Sequence, residues 1–126
     1  MRYVITVTLL VVSIIHLLPL SGALSNERLK VLYGIPFNEP NLEIVMRHRA
    51  VLFGLLGTFL FYAAFQPKIQ LLAFIAGFVS VVSFLWLAWS VGNYNTQVGR
   101  VLVADIAALV CLVVGLGAYV VQACLA

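Results

Sequence analysis

Few side chains in this chain could do chemistry, and each stands in or beside an apolar run. Five of them are ionisable residues near the ends of those runs: His16, Glu43, Arg47, His48 and Asp105. Imidazole and carboxylate groups can act as acid and base, and a guanidinium can hold an anionic head group. The sequence has no metal-ligand spacing and no cofactor motif beside them. The chemistry open to these residues is therefore proton transfer or the binding of a polar head group.

The composition indicates a lipid bilayer as the surroundings of these residues. Of the 126 residues, 64% are hydrophobic and 9% are charged, whereas soluble domains carry about 45–50% apolar and about 25% charged residues. The length allows one domain, residues 1–126. The net charge of +3 is scattered along the chain, so we expect no nucleic-acid partner.

Four apolar segments are each long enough to cross a bilayer as a helix, which takes about 20 residues. They lie at approximately 3–20, 42–65, 69–90 and 98–125. Gln66-Pro67-Lys68 and the stretch from Gly92 to Thr96 have the composition of tight turns, so consecutive helices should be antiparallel. We predict an all-α membrane protein, an antiparallel bundle of four transmembrane helices.

The first loop is the longest connection. At approximately 25–33 it has the pattern of a short amphipathic helix, with Leu29, Leu32 and Tyr33 on one face and Gly34 as its stop. Such a helix is expected to lie in the membrane interface. After the loop, Asn41 is the expected N-cap of the second transmembrane helix.

Small residues recur at helical spacing on the last three helices. Close backbone approach stabilises helix pairs in lipid, so these residues should mark the packing faces. They are Ala50, Gly54, Gly57 and Thr58 on the second helix, Ala73, Ala76, Gly77, Ser80 and Ser83 on the third, and Ala104, Ala107, Ala108, Cys111 and Gly115 on the fourth.

The polar residues fall at one end of the predicted bundle, the end that carries the first loop and the third turn, which we call the first-loop end. Ionisable residues inside a membrane are costly, and they usually pair, face inward or carry function. We therefore predict a polar pocket at this end, lined by His16, Glu43, Arg47, His48 and Asp105, with Trp86, Trp89 and Tyr94 on its wall.

The helical register of the second segment predicts which arginine faces inward. Glu43 and Arg47 are four residues apart on one helix face, and that face continues into the small residues at positions 50, 54 and 57. His48 lies about 100° and Arg49 about 200° further round. We therefore expect Arg47 to point into the bundle and Arg49 to point away from it.

A structural alternative accounts for the same residues. Arginines at helix ends extend to lipid head groups, and Trp and Tyr form belts at membrane interfaces without any ligand. Asp105 could pair with Arg47 and join two helices. The sequence leaves both interpretations open, a ligand pocket or a set of contacts that holds the helices together.

Two short runs carry a resemblance to known proteins. Leu-Tyr-Gly-Ile at 32–35 and Met-Arg-His-Arg-Ala-Val-Leu-Phe-Gly-Leu-Leu-Gly at 46–57 resemble a family of short bacterial four-helix membrane proteins of unassigned function. The resemblance extends over nearly the whole chain and implies the same fold and the bacterial inner membrane. More distantly, the Tyr-Gly loop followed by an Arg is similar to the DoxX-like group.

Members of the nearer family sometimes carry the name phosphopantetheine adenylyltransferase. Enzymes with that activity have a soluble nucleotide-binding α/β fold and a His-x-Gly-His motif. This chain has His16 and His48 as its histidines and lacks the motif, so that activity is not expected.

Three functions stay open. The first is a non-catalytic accessory subunit or scaffold, in a homo-oligomer or a larger membrane complex, because small-residue stripes are present and catalytic motifs are absent. The second is a binder or transporter of an amphiphile, such as an anionic lipid or a quinone, at His16, Glu43, Arg47 and Asp105. The third, which we favour least, is a membrane enzyme with His16 or His48 as acid or base.

The distribution of positive charge predicts the orientation in the membrane. Five Lys and Arg residues lie toward the first-loop end, against two at the opposite, N-terminal end: Arg28, Lys30, Arg47, Arg49 and Arg100, against Arg2 and Lys68. By the positive-inside rule the first and third loops are expected in the cytoplasm.

Overall fold

A computed structural model of the protein describes residues 1–23, 31, 33 and 39–125. Its long helices are α1 (Arg2–Leu17), α2 (Pro40–Ala63), α3 (Gln70–Val91) and α4 (Thr96–Leu125). Short 3-10 segments follow α1 at Leu18–Ala23 and precede α3 at Pro67–Ile69. By length and composition all four helices are able to cross a membrane. The predicted all-helical, four-helix class is confirmed, and it fits an integral membrane protein.

The start of α2 differs from the prediction. The N-cap is Glu39, whose carboxylate accepts hydrogen bonds from the backbone N–H of Asn41 at 3.1 Å and of Leu42 at 2.9 Å. The prediction of Asn41 as the N-cap is therefore wrong, because the helix already begins one residue earlier, at Pro40. Proline suits this position, since the N–H that it lacks would have no partner within the helix. The two backbone hydrogen bonds lower the pKa of the exposed Glu39 carboxyl below its ordinary value.

The short helix expected at 25–33 lies outside the described residues, apart from Val31 and Tyr33.

α1 packs between α2 and α4, and its hydrogen bonds show how it runs relative to α2. Thr6 Oγ1 donates to the carbonyl of Ala64 at 3.0 Å, and Ser13 Oγ donates to the carbonyl of Gly57 at 2.7 Å. As α1 proceeds, its partners on α2 come earlier in the chain, so α1 and α2 are antiparallel. On its other side, α1 brings Thr8 against Gly115 of α4.

Most of the predicted small residues lie where helices touch. Ala50, Gly54 and Gly57 of α2 are buried, and a Cβ added at Gly57 would lie 2.8 Å from Leu17 Cγ. Ala73 and Gly77 of α3 and Ala108 and Gly115 of α4 are also buried. The prediction is wrong for Thr58, Ser83 and Ala107, which are exposed. Around the small residues, large apolar side chains fill the core, among them Ile5, Leu9, Leu60, Phe74 and Leu112.

Candidate functional site

A cavity of about 280 Å³ lies at the first-loop end of the bundle. All four long helices contribute to it: the last residues of α1, the middle of α2, Phe84 of α3 and the first turns of α4. Val31 and Tyr33 of the first loop also line it. Its wall is mainly apolar, and the described polar side chains that line it are His16, Tyr33, Arg49, Gln97, Arg100 and Asp105.

Two of the eight predicted site residues line this cavity, His16 and Asp105. They come from α1 and α4, which are neighbours in the bundle. Their positions, in the last turn of α1 and in the third turn of α4, bring an imidazole and a carboxylate to the same cavity.

The other six predicted residues lie elsewhere. Glu43 and Arg47 form an ion pair of 3.4 Å with partly exposed side chains, and His48 is exposed. Trp86 and Trp89 contact each other, with ring centroids 5.5 Å apart, and are 61% and 76% exposed. Their exposure at the end of α3 is typical of an aromatic interface belt.

Tyr94, which follows α3, is also exposed and does not line the cavity. Its ring lies over Gly99 of α4, where a Cβ would come within 3.8 Å of it. Tyr94 is therefore placed against the start of α4 and not on the wall of the site.

Arg49, which the register argument turned away from the bundle, is the arginine of α2 that lines the cavity, and Arg47 is not. The small residues alone predict a packed face centred near Arg47. The buried face of α2 also includes Leu60 and Ala63, and Phe53 lines the cavity. At about 100° per residue these positions extend the packed arc toward Arg49. The missed signal was Phe53, four residues after Arg49 and on the same helix face.

Aromatic rings hold the guanidinium of Arg49 in place. Its Nη1 donates a hydrogen bond to the hydroxyl of Tyr33. Its central carbon lies 4.5 Å from the ring centroid of Phe53 and 5.3 Å from that of Tyr33. Cation–π contacts of this kind are worth about 0.5–2 kcal/mol each. Arg49 is thus a pre-positioned cation with N–H donors left over.

His16 is 2% exposed and has a partner at each ring nitrogen. Nδ1 donates to the carbonyl of Val12 at 2.9 Å, because a carbonyl can only accept. In the neutral ring, Nε2 then accepts from the hydroxyl of Ser80 at 3.0 Å. His16 therefore joins α1 to α3 at the wall of the cavity, and neither ring nitrogen is left for a ligand.

Asp105 and Arg100 present opposite charges on α4. Asp105 is partly buried, and within the described part of the chain its carboxylate accepts no hydrogen bond and has no Lys, Arg or His nitrogen within 4.0 Å. It does interact electrostatically with Arg49. Arg100 is exposed at the cavity and has no hydrogen-bonding or ion-pair partner among the described residues. Among the described residues, the cavity thus has two guanidinium groups and one carboxylate that are available to a ligand.

A second cleft, of about 470 Å³, lies at the N-terminal end of the bundle. Arg2, Thr6, Gln70 and Gln122 line it, and Gln70 Nε2 donates to the carbonyl of Ala64 at 3.3 Å. Among the described residues that line it, this cleft has one cation and no carboxylate, unlike the cavity at the first-loop end. Among the described residues, no group of three or more His, Cys, Asp and Glu side chains could hold a metal ion.

The cavity at the first-loop end combines charged side chains with a mainly apolar wall. The resemblance to short bacterial four-helix membrane proteins stays a prediction. No family model matches the sequence, and no curated protein and no solved structure matches the chain.

Proposed function

We propose that this protein is a non-catalytic integral membrane protein that binds the phosphate-bearing head group of a membrane amphiphile in the cavity at the first-loop end. The observation that carries the proposal is the gradient of polarity and exposure along the cavity. His16 and Tyr33 are 2% and 7% exposed, whereas Leu18 and Val31 are 63% and 76% exposed apolar residues on the same wall. Buried polar side chains next to exposed apolar ones suit a molecule with a polar head and an apolar tail.

The size of the cavity supports a head group as the bound part. Its volume of about 280 Å³ falls just below the range of about 300–1,000 Å³ typical of pockets that enclose a drug-sized ligand. It has room for a head group and none for the acyl chains as well. The chains would run over the exposed apolar side chains of Leu18 and Val31 into the bilayer.

The charges favour a phosphate over a neutral head. Arg49 and Arg100 both line the cavity, and a guanidinium matches a phosphate with two parallel hydrogen bonds. A quinone ring, the alternative amphiphile, would leave both guanidinium groups without an anion. A membrane enzyme is less well supported, since both nitrogens of His16 are hydrogen-bonded inside the bundle and His48 is exposed away from the cavity.

Native mass spectrometry of protein released gently from membranes tests the proposal. We expect the wild-type protein to carry bound phospholipid, and we expect Arg49→Gln with Arg100→Gln to lower its occupancy about tenfold or more, because hydrogen bonds to charged groups contribute about 1.5–3 kcal/mol each. Arg47→Gln is the matched control, since Arg47 is on the same helix but pairs with Glu43 outside the cavity.

Equal phospholipid occupancy in wild type, the double variant and the control would contradict a site at the cavity. Wild-type protein that carries no phospholipid, and that is always released with another protein, would contradict the proposal as well. That second result would support the accessory or scaffolding function instead.

We also propose that the protein lies in a bacterial inner membrane with its first-loop end in the cytoplasm. Cys124 is exposed near the end of α4, at the N-terminal end of the bundle. A membrane-impermeant maleimide should therefore label Cys124 in intact spheroplasts. With both native cysteines replaced, Thr96→Cys at the start of α4 should react only after lysis. Labelling of Thr96→Cys but not of Cys124 in intact spheroplasts would reverse the orientation.

A further inference from the structure

We infer that Asp105 makes the cavity selective for head groups that carry a primary ammonium beside the phosphate, as phosphoethanolamine does. The inference rests on the proposed function and adds the class of head group. It starts from a carboxylate that the phosphate-binding arginines do not explain.

A phosphate ligand alone would make the position of Asp105 unfavourable. The carboxylate lines the same cavity as Arg49 and Arg100, so a bound phosphate would meet a negative charge as well as two positive ones. Like charges in one desolvated site repel. A ligand whose phosphate is followed by a cation removes this repulsion and turns Asp105 into a contact.

Asp105 is not accounted for as a link between helices. Its electrostatic partner is Arg49, yet among the described residues the ion pair within 4.0 Å is that of Arg47 and Glu43. Arg49 is already held by Tyr33 and Phe53. A partly buried carboxylate without a donor is unfavourable. A ligand whose phosphate contacts the arginines and whose N–H groups contact Asp105 would pair every charge in the series with an opposite one.

The form of the cation follows from the acceptor. A carboxylate gains most from a cation that also donates hydrogen bonds, because charge-assisted hydrogen bonds are roughly twice as strong as neutral ones. A primary ammonium has three N–H donors. The quaternary ammonium of phosphocholine has the same charge and none. Phosphatidylethanolamine and phosphatidylcholine therefore form a matched pair of probes, equal in net charge and different in N–H donors.

Competition between these two lipids in mixed micelles, followed by native mass spectrometry, tests the inference. We expect the wild-type protein to prefer phosphatidylethanolamine about tenfold, the ratio that corresponds to one charge-assisted hydrogen bond. Asp105→Asn should bring the ratio to about one while phospholipid still binds, and Asp105→Glu should keep the preference. Arg2→Gln, in the cleft at the N-terminal end, should leave the ratio unchanged.

The outcomes separate the inference from the proposed function. Equal binding of the two lipids by wild-type protein overturns the selectivity, provided that binding still depends on Arg49 and Arg100, and the proposed function then stands. A preference that persists in Asp105→Asn comes from the bulk of the methyl groups and also overturns it. Absence of both lipids from wild-type protein overturns the proposed function itself. The wild-type comparison needs no variant, so poor folding of Asp105→Asn does not decide the result.

Free phosphoethanolamine distinguishes a lipid from a water-soluble ligand with the same chemistry. If it displaces phosphatidylethanolamine from wild-type protein but not from Asp105→Asn, the head group alone is recognised and the selectivity is supported. If it does not displace the lipid while the preference for phosphatidylethanolamine persists, the acyl chains contribute to the affinity, which supports a lipid as the natural ligand.

Discussion

Gly115→Ala is expected to destabilise the protein by about 1–3 kcal/mol, the range for overfilling a packed core. A Cβ at this position would lie 2.8 Å from Cε1 of Phe74 and closer still to Oγ1 of Thr8. Neither neighbour can move easily. Phe74 is 1% exposed, and the Thr8 hydroxyl contacts the carbonyls of Val4 at 2.8 Å and Ile5 at 3.0 Å.

Gly117→Ala is the matched control, two residues along the same helix, because a Cβ there meets nothing within 4 Å. Replacing a helical Gly by Ala favours the helix by up to about 1 kcal/mol in both variants, so the difference between them isolates the steric clash. The measurement is the Tm of each variant in the same detergent. Equal Tm values for the two variants would contradict the close approach of α1, α3 and α4 at Gly115.

His16→Ala is expected to cost about 2–5 kcal/mol, because it empties a buried position and removes the contact between α1 and α3. Ser80→Ala should cost about 1–3 kcal/mol, since it leaves the buried Nε2 of His16 without its partner at 3.0 Å. The double variant should be less unstable than the sum of the two single changes, with a coupling energy of about 0.5–3 kcal/mol.

Reversible unfolding in mixed micelles measures the three free energies of unfolding. Ser83→Ala is the control, because Ser83 is exposed and its hydroxyl donates to the carbonyl of Ser80 within its own helix. That change should stay within about 0.5 kcal/mol. Additive effects of His16→Ala and Ser80→Ala would show that the two side chains do not act together, and would reopen a role for His16 in binding.

The sequence was sufficient for the four helices because membrane crossing imposes a strong constraint. A spanning helix has to satisfy its backbone hydrogen bonds internally over about 20 apolar residues. Runs of that length stand out without knowledge of tertiary contacts. The observed bounds of α3 and α4 begin within two residues of the predicted ones. The N-cap of α2 was missed because capping is decided by a local hydrogen bond, here from Glu39, that apolar periodicity does not report.

The site was harder to predict because helical rotation depends on contacts between helices. The apolar pattern of α2 was compatible with either of two helix faces pointing into the bundle. The small residues favoured the face of Arg47, and the packing of Phe53 selects the face of Arg49 instead. Trp86 and Trp89 were similarly ambiguous, since an aromatic residue near a helix end suits a pocket wall or an interface equally well. His16 and Asp105 were recovered because a deeply placed ionisable residue has few favourable surroundings other than the bundle interior.

The central position of α1 has a consequence for biogenesis. α1 precedes the other helices in the chain, yet its polar side chains obtain their interhelical partners from segments synthesised later: Ser13 from α2 and His16 from α3. Its contact with α4, between Thr8 and Gly115, joins positions separated by most of the chain. Contacts so distant in sequence form slowly. The face of α1 that contacts Gly115 can therefore be covered only after α4 has been inserted, whereas the face that contacts α2 can be covered earlier.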